Sequence, residues 1–159
     1  MKVIFLDIDG ALNSEKFWKF EPQHIKYDRA IKDNKTKDQA KVIANIDPNA
    51  VKLINCIVAM TDAEVVVSST WRSDWNIPYL LRYAGLIRPI YGITPLSQNR
   101  HRGSEIKEWL AEHPEVTNYV IIDDDNDILD EQESHFVQTS WCDGINTCDV
   151  EKAIEILNN

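Results

Sequence analysis

Three short apolar runs constrain this 159-residue chain more than any other feature: Val3-Ile4-Phe5-Leu6, Val65-Val66-Val67 and Tyr119-Val120-Ile121-Ile122. Each is rich in β-forming residues and lacks polar alternation, as expected of strands buried on both faces of a parallel sheet. Helical patterns lie between and after them. Asp47-Pro48 opens a segment running to Met60, with Val51, Ile54 and Val58 at helical spacing. A second helix is expected from Ser104 to Glu112, with Ile106, Trp109 and Leu110 inward and Pro114 beyond its end. A last one is expected from Val150 to Leu157. Strands alternating with helices predict an α/β fold, a three-layer Rossmann-like parallel sheet with helices on both faces.

The runs also share a phase. Lys2 is followed by four residues and then Asp7, Glu64 by four and then Ser69, Asn118 by four and then Asp123. Each polar residue marks where a strand enters the sheet, and each fifth residue marks where it leaves. In a parallel sheet the three exits lie on one edge, where ligands of open α/β sheets bind. Asp7, Asp9, Ser69 and Asp123 are therefore expected to converge on one crevice.

That crevice gathers carboxylates: Asp7 and Asp9 meet Asp123, Asp124, Asp125 and Asp127. Such a group cannot stay ionised without a counter-charge. A hard divalent cation with oxygen ligands, Mg²⁺, is the natural partner. The alternative is a solvated acidic turn after the third strand, and the residues at the first two exits weigh against it.

The length suits one domain, residues 1–159. Residues 14–46 are rich in Lys, Asp, Asn and Gln and carry Phe17, Trp18, Phe20 and Tyr27. They are too long for a plain strand-to-helix connection. They read as a small insertion over the active-site edge of the sheet, with aromatics that pack on the body or line a substrate site. Residues 73–100, with Pro78, Pro89 and Pro95, read as irregular. The net charge of −9 argues against a broad nucleic-acid-binding surface, but not against a basic pocket for one phosphate. No run approaches the ~20 apolar residues of a membrane span. The N-terminus lacks the apolar core of a signal peptide. Cys56, Cys142 and Cys148 lack paired spacing, which fits free thiols in a reducing cytoplasm. His24, His101, His113 and His135 are scattered, away from zinc-ligand spacing.

Asp7-Ile8-Asp9-Gly10 after an apolar strand resembles the first motif of the haloacid-dehalogenase (HAD) superfamily. Ser69 matches the second motif, Arg102 the third (a basic residue opening a later helix) and Asp123-Asp124 the fourth. A narrower resemblance runs through Phe5 to Asn13, Val67-Ser68-Ser69-Thr70-Trp71-Arg72, Arg102-Gly103-Ser104-Glu105-Ile106 and Ile122 to Asp125. These segments look like the small HAD domains of multi-domain RNA-repair proteins and related stand-alone phage and bacterial domains.

The resemblance implies a phosphatase with a small insertion in place of a large cap. Asp7 is then the nucleophile that forms an aspartyl-phosphate, and a metal must orient this weak nucleophile. Asp9 is the general acid and then base, and its backbone carbonyl a Mg²⁺ ligand. An Asp at this position fits the phosphatases. The transport ATPases carry Thr there, and the dehalogenases lack this second Asp. Ser69 is expected to hydrogen-bond a phosphoryl oxygen, the alternative being that Ser68, Ser69 and Thr70 cap the following turn. Thr70 and Arg72 are further phosphate candidates, Arg72 having a surface salt bridge as its alternative. Arg102 neutralises the phosphoryl group, with Arg100 and Lys107 as rivals and Ser104 as the cap of its helix. Asp123 is the direct metal ligand, Asp124 holds metal waters or the basic residue, and Asp127 is a fallback. Trp71 and Trp75 stack on a base or pack.

The substrate implied is a phosphate on a nucleotide or polynucleotide end, with a general small-molecule or phosphoprotein phosphatase as the alternative. From other classes, a receiver-like phosphoacceptor would end its middle strand in Asp and its last in Lys, whereas Ser69 and Asp123 stand at the corresponding exits here. A silent binding module would not need every catalytic position filled.

Overall fold

The computed structural model describes residues 1–73, 76–97 and 101–159. Trp75 and Arg100, named above as candidates, lie outside the described residues. The described residues form a five-stranded sheet in the order β3-β2-β1-β4-β5, with every adjacent pair parallel. The strands are β1 (Lys2–Leu6), β2 (Glu64–Val67), β3 (Gly92–Ile93), β4 (Asn118–Asp123) and β5 (Phe136–Gln138). The expected α/β, Rossmann-like architecture is present.

Because strand side chains alternate, β1 feeds two cores. Ile4 and Leu6 join Val65, Val67, Val120 and Ile122 on one face. Helices α4 (Pro48–Thr61), α5 (Ile77–Tyr83) and α7 (Thr147–Asn158) cover that face with Ile54, Leu80 and Leu157 among others. Val3, Phe5, Val66 and Ile121 point to the other face, where α6 (Arg102–Glu112) supplies Ile106 and Trp109. Phe5 meets the Trp109 ring edge-on at 5.3 Å.

The register refines the shared phase. Lys2 pairs with Asn118, so Asp7 and Asp123 stand level at their exits. Val3, not Lys2, pairs with Glu64, so Ser69 lies one residue beyond that level and Ser68 is the residue abreast of Asp7. Ser68 N–H accordingly donates to Leu6 O at 2.9 Å, continuing the ladder.

Residues 14–46 hold three helices, α1 (Glu15–Phe20), α2 (Gln23–Lys32) and α3 (Lys37–Asn45). A Thr36/Gln39 capping box starts α3. Trp18 meets Trp141 edge-on at 5.7 Å, whereas Phe20 is 86 % exposed. The supposedly irregular stretch 73–100 contains α5 and β3, because Pro78 occupies the first turn of a helix rather than breaking one. Helix α7 starts earlier than expected, where Asn146 and Asp149 form a capping box.

The start of α6 matters most for the site. The helix begins at Arg102, and His101 rather than Ser104 is its cap, accepting from the Ser104 N–H at 3.3 Å. Asp127 satisfies two more first-turn donors: its Oδ2 accepts from Arg102 N–H at 3.0 Å and its carbonyl from Gly103 N–H at 2.9 Å. Gly103 permits this close approach, since a Cβ there would stand 2.5 Å from Leu129 N. Among the described residues, no single helix is long and apolar enough to cross a membrane.

Gly103→Ala is therefore expected to destabilise the fold by about 1–3 kcal/mol, the usual cost of overpacking. Urea unfolding measures this, and an unchanged midpoint would show that the 128–129 backbone yields freely.

Candidate active site

Asp7 follows β1 and Asp123 ends β4, and both are almost fully buried, 6 % and 3 % exposed. Two ionised carboxylates so placed need a shared cation. Arg102 provides one. Its Nε donates to Asp123 Oδ2 at 3.1 Å and one terminal NH₂ group donates to Asp7 Oδ1 at 3.3 Å. Its other terminal nitrogen lies 3.6 Å from Glu105 Oε2, one helical turn on. Ser69 is fully buried at the neighbouring strand exit, and its side chain favours the ionised form of Asp7.

These contacts do not offset the cost of burial. Desolvation, reinforced by the charge of Asp123, pushes the Asp7 carboxyl well above the usual carboxylate range against the pull of Arg102 and Ser69. Burial raises Asp123 to about 6, although Arg102 and the Asp125 N–H favour its ionised form. Asp124 is also raised, again chiefly by burial.

Ligand oxygens of Asp7, Asp123 and Asp124 all lie within 4.8 Å of one another. Three carboxylates with so little cationic compensation fit a hard, oxygen-seeking divalent ion such as Mg²⁺. Gly10 makes room for this cluster. Its φ of +74° suits glycine, and a Cβ there would overlap the Asp124 carboxyl.

The Asp9 carboxyl stands outside the cluster. Its Oδ1 accepts from Asn13 Nδ2 at 2.8 Å and its Oδ2 from the Trp71 indole N–H at 2.9 Å. Trp71 also packs against the larger core. Neither contact has a periodic signal. The only hint of Asn13 is its place three residues after Gly10.

Arg72 is occupied. It forms a 2.5 Å ion pair with Glu105, both side chains nearly inaccessible, and donates to the Ser69 carbonyl at 2.7 Å. The salt bridge considered for it is thus a buried one, and Glu105, to which the sequence pattern assigned no role, is its hub. The other Glu105 oxygen accepts from the Ser97 N–H at 3.1 Å. Thr70 is exposed at the start of a 3₁₀ turn (Thr70–Ser73) and borders, with Arg72, Leu96, Arg102 and Asp125, a cavity of about 480 Å³.

Two alternatives are not brought into the cluster. Lys107 pairs with Glu131 on the exposed side of α6 at 2.7 Å. Asp127 caps α6 and lies 3.0 Å from His101 Nε2. Of the basic residues weighed for the third motif, Arg102 is the described one that contacts Asp7.

A family model described as the HAD domain in Swiss Army Knife RNA repair proteins matches residues 3–150. Neither the curated proteins nor the solved structures give a match. The matched span runs from the first residues of β1 into α7 and takes in every residue of the cluster. The chain therefore belongs to the HAD domain family of Swiss Army Knife RNA repair proteins.

Proposed function

We propose that this domain is a Mg²⁺-dependent phosphomonoester hydrolase that works through an aspartyl-phosphate on Asp7. The observation that carries the reading is the joint placement of Asp7, Asp123 and Asp124 around one point, with Arg102 reaching across the first two. Asp7, Asp123 and Asp124, with the backbone carbonyl of Asp9, would hold the metal. When bound, Mg²⁺ supplies charge neutralisation for the carboxylates and the phosphoryl oxygens.

The chain's own residues account for the remaining steps. A carboxylate oxygen of Asp7 attacks phosphorus, and the bond from phosphorus to the leaving oxygen breaks. Asp9 hands that oxygen its proton. Water then attacks the aspartyl-phosphate, giving a proton to Asp9 while the bond from phosphorus to Asp7 breaks and inorganic phosphate leaves. Arg102 and the Ser69 hydroxyl would hold phosphoryl oxygens, Arg102 once these displace its present contact with Asp7. Thr70 faces the adjoining cavity. Arg72 serves indirectly, by fixing the Ser69 carbonyl. The three insertion helices would take the part of a larger cap.

The acidic balance favours a substrate gripped at one phosphate, a nucleotide or a polynucleotide end, over a long nucleic-acid track. The family's setting in RNA repair points the same way.

Asp7→Asn is expected to abolish hydrolysis of p-nitrophenyl phosphate, and EDTA to abolish it in the unaltered protein. Full activity in either case would remove the mechanism. A panel of nucleotides, 3′- and 5′-phosphorylated oligonucleotides, sugar phosphates and phosphopeptides ranks the substrates. Turnover confined to sugar phosphates or phosphopeptides would reject the nucleotide-end reading.

Metal binding should also depend on pH. Asp123 titrates near 6, above its unfolded value, so in the metal-free protein its contribution to stability is present in acid and is lost as pH rises through about 6. Mg²⁺ needs the ionised carboxylates and reverses that loss. At roughly 100 times its Kd, Mg²⁺ should raise Tm by about 5–10 °C near pH ~7.5. A much smaller rise is expected near pH ~5, and equal shifts at both would contradict the assignment of the ligands.

A further inference from the structure

We infer that Trp71 is a positioning residue for Asp9, its indole N–H holding the carboxyl in the attitude from which a proton is delivered to the leaving oxygen. The inference rests on the phosphoryl-transfer reading above and adds a residue to which that reading gave no part.

The geometry assigns every hydrogen. An indole nitrogen only donates, so the 2.9 Å contact with Asp9 Oδ2 is Trp71 N–H to carboxyl oxygen. The Asn13 amide cannot be turned over without loss. Its oxygen accepts from the Gly10 N–H at 2.9 Å, which leaves its NH₂ group facing Asp9 Oδ1 at 2.8 Å. One donor therefore sits on each oxygen of Asp9, and rotation of the carboxyl plane strains or breaks at least one bond. Each oxygen keeps a lone pair for the reacting proton.

Trp71 is itself anchored. Its ring packs against the larger core, its backbone N–H lies 3.4 Å from the Ser69 hydroxyl, and Lys41 of α3 stands 5.8 Å from its ring centre. The residue thus links the β2 exit to the reactive loop after β1. Asn13, buried in that loop, also supports the Gly10 turn, so its loss would have two effects. Trp71 is the cleaner test.

The role has a signature that packing alone lacks. When the bond from phosphorus to the leaving oxygen breaks, an alkoxide must take the proton of Asp9, whereas p-nitrophenolate departs as a stable anion without it. A misplaced Asp9 therefore harms alkyl phosphates and spares the aryl ester. The ratio kcat/KM reports only the steps through leaving-group departure, so water attack on the aspartyl-phosphate, common to both substrates, does not obscure the comparison.

The experiment measures kcat/KM of the full chain with Mg²⁺ on p-nitrophenyl phosphate and on a nucleoside monophosphate, for the unaltered protein and Trp71→Phe. The expected result is a loss of roughly tenfold or more on the nucleotide with less than about threefold on the aryl ester. An equal loss on both, or no loss on either, overturns the inference. Placing 3-benzothienylalanine at position 71 keeps the ring shape and replaces N–H by sulfur. It must reproduce the selective loss, and it decides the matter should Trp71→Phe fold poorly. A protein that turns over p-nitrophenyl phosphate but never shows the selective loss retains the proposed mechanism without this role for Trp71. An unaltered protein inactive on both substrates removes both.

Discussion

The site depends on one guanidinium. Parallel strands deliver Asp7 and Asp123 to the same edge, level with each other and buried, where two carboxylates repel across a poorly solvated gap. Arg102 spans them, and its third contact with Glu105 fixes the plane of its head group. Glu105 in turn carries Arg72, whose guanidinium is tied to the Ser69 carbonyl. The exits of β1, β2 and β4 are joined through this chain of ion pairs. A buried pair with one partner removed leaves a stranded charge, at a cost of about 3–5 kcal/mol, so each member constrains the others.

Helix α6 owes its position to equally local chemistry. Asp127 and His101 take up the free N–H groups of its first turn, and Gly103 lets that turn close on residues 128–129. Shifting this turn would move Arg102 off the carboxylates it bridges. Gly10 plays the matching part across the site, since the space beside its α-carbon is filled by Asp124. Both glycines serve a close approach, Gly10 to the Asp124 carboxyl and Gly103 to the backbone of residues 128–129.

Much of this was legible in the sequence because the sheet interior leaves little choice of residue. Apolar runs without alternation marked β1, β2 and β4, and the Lys2/Asn118 entries marked the register that sets Asp7 beside Asp123. The β2 phase was misread by one residue, because Glu64 enters opposite Val3 and hydrophobicity alone does not report a stagger. Strands β3 and β5, of two and three residues, are too short to carry a period. Helix α5 was hidden by reading Pro78 as a breaker. The ties of Trp71 and Glu105 left no pattern, since hydrogen bonds between residues 62 and 33 positions apart impose no spacing on either neighbourhood.

Charge balance then orders the parts of the proposed reaction. Arg72 and Glu105 neutralise each other, so among the described residues Arg102 is the cation that faces Asp7 and Asp123, while Asp124 adds a further negative charge. A phosphate monoester brings nearly two more. Without a divalent cation the cluster would hold its carboxylates partly protonated, as the raised Asp7 and Asp123 already indicate, and a protonated Asp7 is no nucleophile. In the proposed reaction the cation and the ionised nucleophile would therefore be one requirement. Arg102 can turn to the phosphoryl group only when something else compensates the carboxylates it now bridges. In a chain of net charge −9, that coupling would confine phosphate affinity to the metal-loaded crevice and leave the rest of the surface indifferent to it.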